Sequence, residues 1–335
     1  MATRESRRAR TWSLLAGTRR KPSAYEVVTS RMNYHFRRQP APFELSPDTP
    51  LNRWYLEHRE GSALQADDWE GFRDPGRLIY RAYVALQHQR ETVIDGLVDD
   101  FERREHDAHL EEGWVRLLAR LYVPARFPIH ALQMAALYVG QMAPSAFIAN
   151  AAIFQAADEL RRVQWVAYRA RSLALAHGGD VGSSEATRRT WEDDPAWQPL
   201  REAVETMLVA YDWGEAFTAL NLAVKPLFDA LCNSQLAELA RANGDDLLAL
   251  MLDQFELDAV RSREWSRALV AHAVDQRAEN RDVLRGWVAR WTPVAERGAD
   301  ALAGLFASVA GAMNPEEVQR GVRRVHREHL EACGL

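Results

Sequence analysis

The sequence predicts an all-α protein, on three observations. From Arg77 to the C-terminus apolar residues recur at spacings of three and four. No segment of convincing length alternates apolar and polar residues as a half-buried strand would. The segments are punctuated by Pro124, Pro144, Gly178-Gly179 and Asn243-Gly244, where a helix has to stop or turn.

Taken in order, residues 1–75 read as an extended, irregular arm, with turn-formers at Pro40, Pro42, Pro47, Pro50, Gly61 and Pro75. An arm of that length suits contacts with other subunits better than a compact monomer. Residues 76–335 form the helical domain. Leu78, Tyr80, Tyr83, Val84 and Leu86 open its first helix, and Val93, Ile94, Leu97, Val98 and Phe101 continue it. Trp114, Leu117, Leu118 and Leu121 mark a second, ended by Pro124. Helices are predicted over 127–141 and 145–177, and one long helix over 199–241 with a kink at Pro226. Another covers 245–275, and 281–311 reads as two helices around Pro293. Pro315 sits in the first turn of a last helix, whose stripe is Val318, Val322, Val325 and Leu330.

The chain has 335 residues and a formal charge of -5. Residues 1–40 hold ten Arg or Lys against two acids, and the rest holds 32 basic and 45 acidic residues. A basic arm on an acidic body raises nucleic acid as a partner. The arm also carries Trp12, Leu14, Leu15, Tyr25, Tyr34 and Phe36, which fits a protein partner better. No nucleic-acid module is recognisable. Cys232 and Cys333 lack metal or disulfide spacing. The uncharged run 127–157 is rich in amides and Ala, so it reads as buried core rather than a membrane span. The expectation is a cytoplasmic protein.

The stretch DELRR, residues 158–162, carries the chemistry. In ferritin-like di-iron proteins two helices each give a Glu and two each give a Glu-x-x-His. Glu159 has the place of such a glutamate, but Arg162 stands where the histidine would be. Asp258-Ala259-Val260-Arg261-Ser262 lies 100 residues later and repeats the Asp-x-x-Arg pattern, with Ala259 and Ser262 at the Glu and His places. Arg has no lone pair for a metal, and Ala259 offers no donor. Glu215, in YDWGEAF, is a candidate for a further carboxylate. Two readings of Glu159 and Arg162 stay open: an internal ion pair standing where metal would sit, or a surface pair on an amphipathic helix. ERREHDAHL, 102–110, places Glu102 and His106, and Glu105 and His109, four apart. That is a metal candidate or a solvated helix face. His326-x-x-His329 is a weaker candidate, with His329 expected to face solvent. No Gly-rich phosphate loop, GxSxG elbow or Cys/His nucleophile pair occurs.

Longer strings carry a resemblance. RTWSLLA (10–16), KPSAYEVV (21–28), ELSPDTPLNRWY (44–55), FRDPGRLIYRAY (72–83), FERREHD (101–107), LQMAALYVGQMAP (132–144), DWGEAF and NLAVKP (212–226), and REWSRALVAHA (263–273) run through almost the whole chain. In this order they resemble the hydroxylase β subunit of bacterial multicomponent monooxygenases, in the toluene, aromatic and alkene branch. The resemblance implies a ferritin-like, ribonucleotide-reductase-like bundle without di-iron ligands. It implies an αβγ hydroxylase dimer whose α subunit holds the di-iron centre and inserts one oxygen atom from O2 into a small hydrocarbon. Electrons would come from NAD(P)H through a reductase and a Rieske ferredoxin, and a small effector protein would gate the reaction. This chain would have no cofactor and no catalytic residue, with Glu159, Arg162, Glu215, Ala259 and Ser262 as vestiges of a metal site. Trp12, Tyr25, Tyr34, Trp54 and Tyr55 are the expected interface anchors. The alternative is a ferritin-like metal oxidase with its own altered site.

Overall fold

The computed structural model describes residues 23–29 and 49–335, and among these every regular element is helical. Two short helices, α1 (Ala24–Thr29) and α2 (Pro50–Tyr55), precede the body. The body comprises α3 (Tyr80–Arg103), α4 (Glu112–Leu121), α5 (Arg126–Met142), α6 (Ala146–His177), α7 (Ser184–Asp193) and α8 (Gln198–Met207). A nearly continuous rod follows, built from α9 (Trp213–Thr218), α10 (Lys225–Asp229) and α11 (Leu236–Ala242). Wide π-helical turns at Ala219–Val224 and Ala230–Gln235 separate its three parts. Three long helices complete the chain: α12 (Asp246–Gln276), α13 (Asn280–Ala303) and α14 (Pro315–Ala332).

The helix ends follow local chemistry. Ser145 and Asp245 each accept a backbone N–H in the first turns of α6 and α12, supplying a partner those turns lack. Gly178, with φ 69°, ends α6 in a conformation that suits glycine. Across the bundle, α5 packs along α6, α3 lies on α12, and α13 packs on α8.

Two boundaries differ from the sequence reading. The single helix expected over 199–241 breaks at 208–212, because Asp212 turns its carboxylate onto the N–H groups of Gly214 and Glu215 and starts α9 afresh. Ser62 Oγ donates to the same carboxylate at 2.7 Å. Gly214 makes this crossing fit, since a Cβ there would lie 2.7 Å from the Leu64 Cβ. Conversely, Pro293 does not divide 281–311; α13 runs through it. Proline removes one N–H, and burial of Leu284, Trp291, Ala295, Gly298 and Leu302 on one face outweighs that loss.

The stretch 49–75, expected as part of an extended arm for subunit contacts, buries several of its large side chains in its own body, while Leu51 and Leu56 stay exposed. Leu64, Trp69 and Phe72 are buried in the main core, Trp69 meeting Trp213 edge to face at 5.1 Å. Tyr25 of α1 packs on Phe147, and its hydroxyl accepts the Asp74 N–H.

Candidate functional site

At the centre, four charged side chains from α6 and α10 close a ring. The Lys225 ammonium donates to Glu159 Oε1 and, at 2.7 Å, to Asp229 Oδ2. Arg162 Nη1 donates to Asp229 Oδ1 at 2.7 Å and lies 3.8 Å from Glu159 Oε2. All four are buried, and two positive charges balance two negative. Glu159 and Arg162 share a face of α6 at three apart, and Lys225 and Asp229 share a face of α10 at four. Lys225 and Asp229 stand between the two wide turns, a feature often found where a helix must re-aim side chains.

Burial raises the Glu159 carboxyl above the ordinary glutamate range, and the nearby Lys225 charge only partly offsets it. Burial acts on Asp229 in the same sense, but Lys225 and Arg162 together hold it below its ordinary value. Geometry explains the difference. Asp229 receives a close hydrogen bond on each oxygen, whereas Glu159 Oε2 receives none. The surface-pair reading of Glu159 and Arg162 is therefore excluded, and the nearest partner of each is on α10.

Beside the ring, the repeated Asp-x-x-Arg motifs cross-link α6 and α12 reciprocally. Asp158 pairs with Arg261, and Arg161 donates to Asp258 at 3.0 Å. Gln87 of α3 donates to both carboxylates, at 2.7 and 2.9 Å. Tyr83 also donates to Asp158, and Arg90 pairs with Asp258. Both acids are spent on hydrogen bonds and ion pairs, so this cluster fixes the register of three helices.

A third polar cluster explains ERREHDAHL. Helix α3 stops at Arg103, Glu105 takes a left-handed φ of 52°, and His106–His109 form one tight turn. His106 points inward, its Nε2 3.3 Å from Asp245, and His109 Nδ1 lies 2.9 Å from its own chain's Glu105 carbonyl oxygen. Glu102 accepts the Tyr168 hydroxyl. The spacing that suggested a metal spans the break at Arg104 and Glu105 between α3 and a tight 3-10 turn, not one continuous α-helix, so the side chains diverge. Burial alone would raise the Asp245 carboxyl, but the Arg169 charge and hydrogen bonds from His106, Trp114 and Leu248 hold it at about 2. This depressed value stabilises the fold above the ordinary aspartate range, and the contribution is lost as pH falls from about 4 to about 2. We expect Asp245→Asn to cost about 2 kcal/mol at neutral pH. In urea unfolding, the gap to the unmodified chain should close over that acid window. A gap unchanged between pH 5 and 2 would refute this.

The remaining expected positions are distributed as follows. Glu215 does not face Glu159; it accepts from Arg290 Nη1 at 2.7 Å and Trp291 Nε1 at 3.0 Å, tying α9 to α13. Lys225 is the α9–α11 residue that meets Glu159. Ala259 and Ser262 are buried on α12 and carry no carboxylate or imidazole. His329 does not face solvent. It and His326 are buried on α14, donating to the Asn221 and Leu222 carbonyls of the first wide turn at 3.1 and 2.7 Å. Burial keeps both neutral, His329 falling to about 4. Of the expected anchors, Tyr25 is buried in its own chain. Trp54 donates to the Tyr138 hydroxyl and packs on Tyr211, and Tyr55 accepts from Gln141. Trp12 and Tyr34 lie outside the described residues.

Sequence reasoning missed Lys225 and Asp229. A signal was present: they are the only charged residues between 216 and 237. A ferritin-like bundle can hold a dimetal centre, and the donors at the ring do not fit one: two carboxylates face an ammonium and a guanidinium, neither able to ligate. Among the described residues, no three His, Cys, Asp or Glu side chains converge to hold a metal ion. No helix among the described residues is long and apolar enough to cross a membrane.

Comparison with known proteins places the chain in a family. The sequence pattern of the methane/phenol/alkene hydroxylase family matches residues 54–277. The chain is 44% identical to the hydroxylase component subunit β of the toluene-4-monooxygenase system of Ectopseudomonas mendocina, over 89% of this chain and 91% of that protein. It is 28% identical to an oxygenase component of phenol 2-monooxygenase from Pseudomonas sp. strain CF600, covering 82% of this chain and 80% of the other. A solved structure of toluene 4-monooxygenase with toluene in its resting active site contains a chain of the same fold. The TM-score is 0.84 at 42% identity, over 90% of this chain and 99% of that one.

Proposed function

Because the chain belongs to the methane/phenol/alkene hydroxylase family, we propose that it is the structural β subunit of a multicomponent monooxygenase hydroxylase. The observation that carries the reading is the ring at Glu159, Lys225, Asp229 and Arg162. A ferritin-like bundle whose central carboxylates are neutralised by its own cations has no use for iron there. Oxygen activation then belongs to a partner α subunit holding the di-iron centre. Reducing equivalents from NAD(P)H, a reductase, a Rieske ferredoxin, an effector protein and a γ subunit complete the system. The substrate class is a small aromatic or alkene hydrocarbon. An oxidase site on ERREHDAHL is disfavoured, since His106 is turned onto Asp245.

The chain's own contribution is surface. Helix α6 shows an exposed seam of Ile153, Leu160 and Ala167, seven residues apart, extended by Leu175. Met134 and Leu137 of α5 are exposed as well. The side chain of Ile153 packs near Gly140 of α5, which joins the two helices' apolar residues into one face. A heptad-spaced apolar seam suits another helix, here one of the α subunit. The basic segment 1–40 is assigned to the same partner.

Co-expression with the α and γ subunits of a hydroxylase of this family tests the reading. The chain should co-purify with a larger subunit, and after separation iron should stay with that subunit. Deleting residues 1–40 should weaken the association. Iron retained by this chain alone would overturn the structural role, and unchanged co-elution of the deletion variant would remove the arm from the interface.

A further inference from the structure

We infer that Trp165 and Tyr168 on α6 form a one-electron relay, in which Trp165 hands an oxidising equivalent to Tyr168 and the phenolic proton passes to Glu102. Only the source of the oxidant rests on the family reading above: an oxygen-activating partner that fires without substrate. The two rings stand three residues apart on one helix, edge to face, with centroids 5.3 Å apart. Trp165 belongs to the buried core, and Tyr168 is 45% exposed. One ring therefore collects charge inside the protein and the other releases it at the surface.

Each ring has its own carboxylate. Trp165 Nε1 lies 3.0 Å from both oxygens of Glu91, so an anion at the N–H holds the positive charge left on an oxidised indole. The Tyr168 hydroxyl donates to Glu102 Oε1 at 2.8 Å. That hydrogen bond pushes the phenol up to about 12, so it keeps its proton until an electron leaves. An oxidised phenol is a strong acid, and Glu102 is within reach to take the proton at once. The step balances: the oxidant gains one electron, the Tyr168 O–H bond breaks, and an O–H bond forms on Glu102. Glu102 is exposed and has no ion-pair partner among the described residues, which leaves its charge available to the proton. Both side chains line an open cleft of about 410 Å³, from which the proton can go on to water. Tyr83 shows the contrast. It also donates to a carboxylate, but Asp158 already receives Gln87 and pairs with Arg261, which weakens it as a proton acceptor.

The test uses the full chain alone, with light-generated trivalent tris(bipyridine)ruthenium as the oxidant. Time-resolved absorption and electron paramagnetic resonance read the radicals. In the unmodified chain an indole radical signal should decay in the same phase in which a tyrosyl signal rises. That phase should vanish in Trp165→Phe and in Tyr168→Phe. Glu102→Gln keeps a hydrogen-bond acceptor but takes no proton, and should slow the tyrosyl rise at least about tenfold. Tyr168 and Glu102 are exposed, so their variants fold even if Trp165→Phe does not. Three results each overturn the relay: no coupled phase in the unmodified chain, a coupled phase that survives in Tyr168→Phe, or a tyrosyl rise unchanged in Glu102→Gln. Because light supplies the oxidant, the outcome does not depend on the partner subunit, whose identity co-purification tests separately.

Discussion

Replacing Lys225 by methionine is expected to destabilise the chain by ~3–5 kcal/mol, the usual cost of removing one member of a buried ion pair. The side chain is close in length, so the loss is electrostatic rather than a cavity. Without the ammonium, Glu159 loses its one close donor and Asp229 keeps only Arg162. Two buried carboxylates then share a single guanidinium. For a chain of this length the melting temperature should fall by roughly 5 °C, measured by calorimetry or circular dichroism. Substituting all four ring residues by apolar ones of similar volume should cost much less, because desolvation of the charges is no longer required. A drop under about 1 kcal/mol for Lys225→Met would mean that water reaches the ring, contrary to its burial.

The second large effect is on assembly. Ile153→Asp with Leu160→Asp should leave the isolated chain nearly as stable as before, since both side chains are exposed in it. In the complex, two carboxylates would be forced into an apolar seam. A loss of at least ~2 kcal/mol in association, about 30-fold in Kd, is expected. Co-purification and surface-plasmon titration against the larger subunit would read it. A variant that associates like the unmodified chain would move the interface elsewhere.

The helical elements of the body were largely legible because their periodicity is strong, and the segment 145–177 corresponds closely to α6. The breaks were harder. Asp212 starts a new helix by accepting the Gly214 and Glu215 N–H groups, a local cap that the apolar periodicity running through 199–241 masked. Pro293 was read as a breaker, but burial on both sides of it carries the helix through. At the centre, DELRR exposed half of the ring, since Glu159 and Arg162 share one helix face. The other half was hidden by register: the wide turns before Lys225 and after Asp229 shift which residues look inward, and the carboxylate singled out on this segment was Glu215. The inward turn of His329 was likewise unreadable from a helix rich in charge, because its acceptor is a carbonyl of another element.

The docking of α14 on the first wide turn bears on how the fold is completed. The carbonyls of Asn221 and Leu222 find donors in His329 and His326, 108 and 104 residues further along the chain. Until α14 docks, these two carbonyls lack those donors and favour contact with water. The turn that aims Lys225 inward is therefore sealed only once α14 is in place, and a molecule whose α14 has come away would be a target for quality control rather than a competent component.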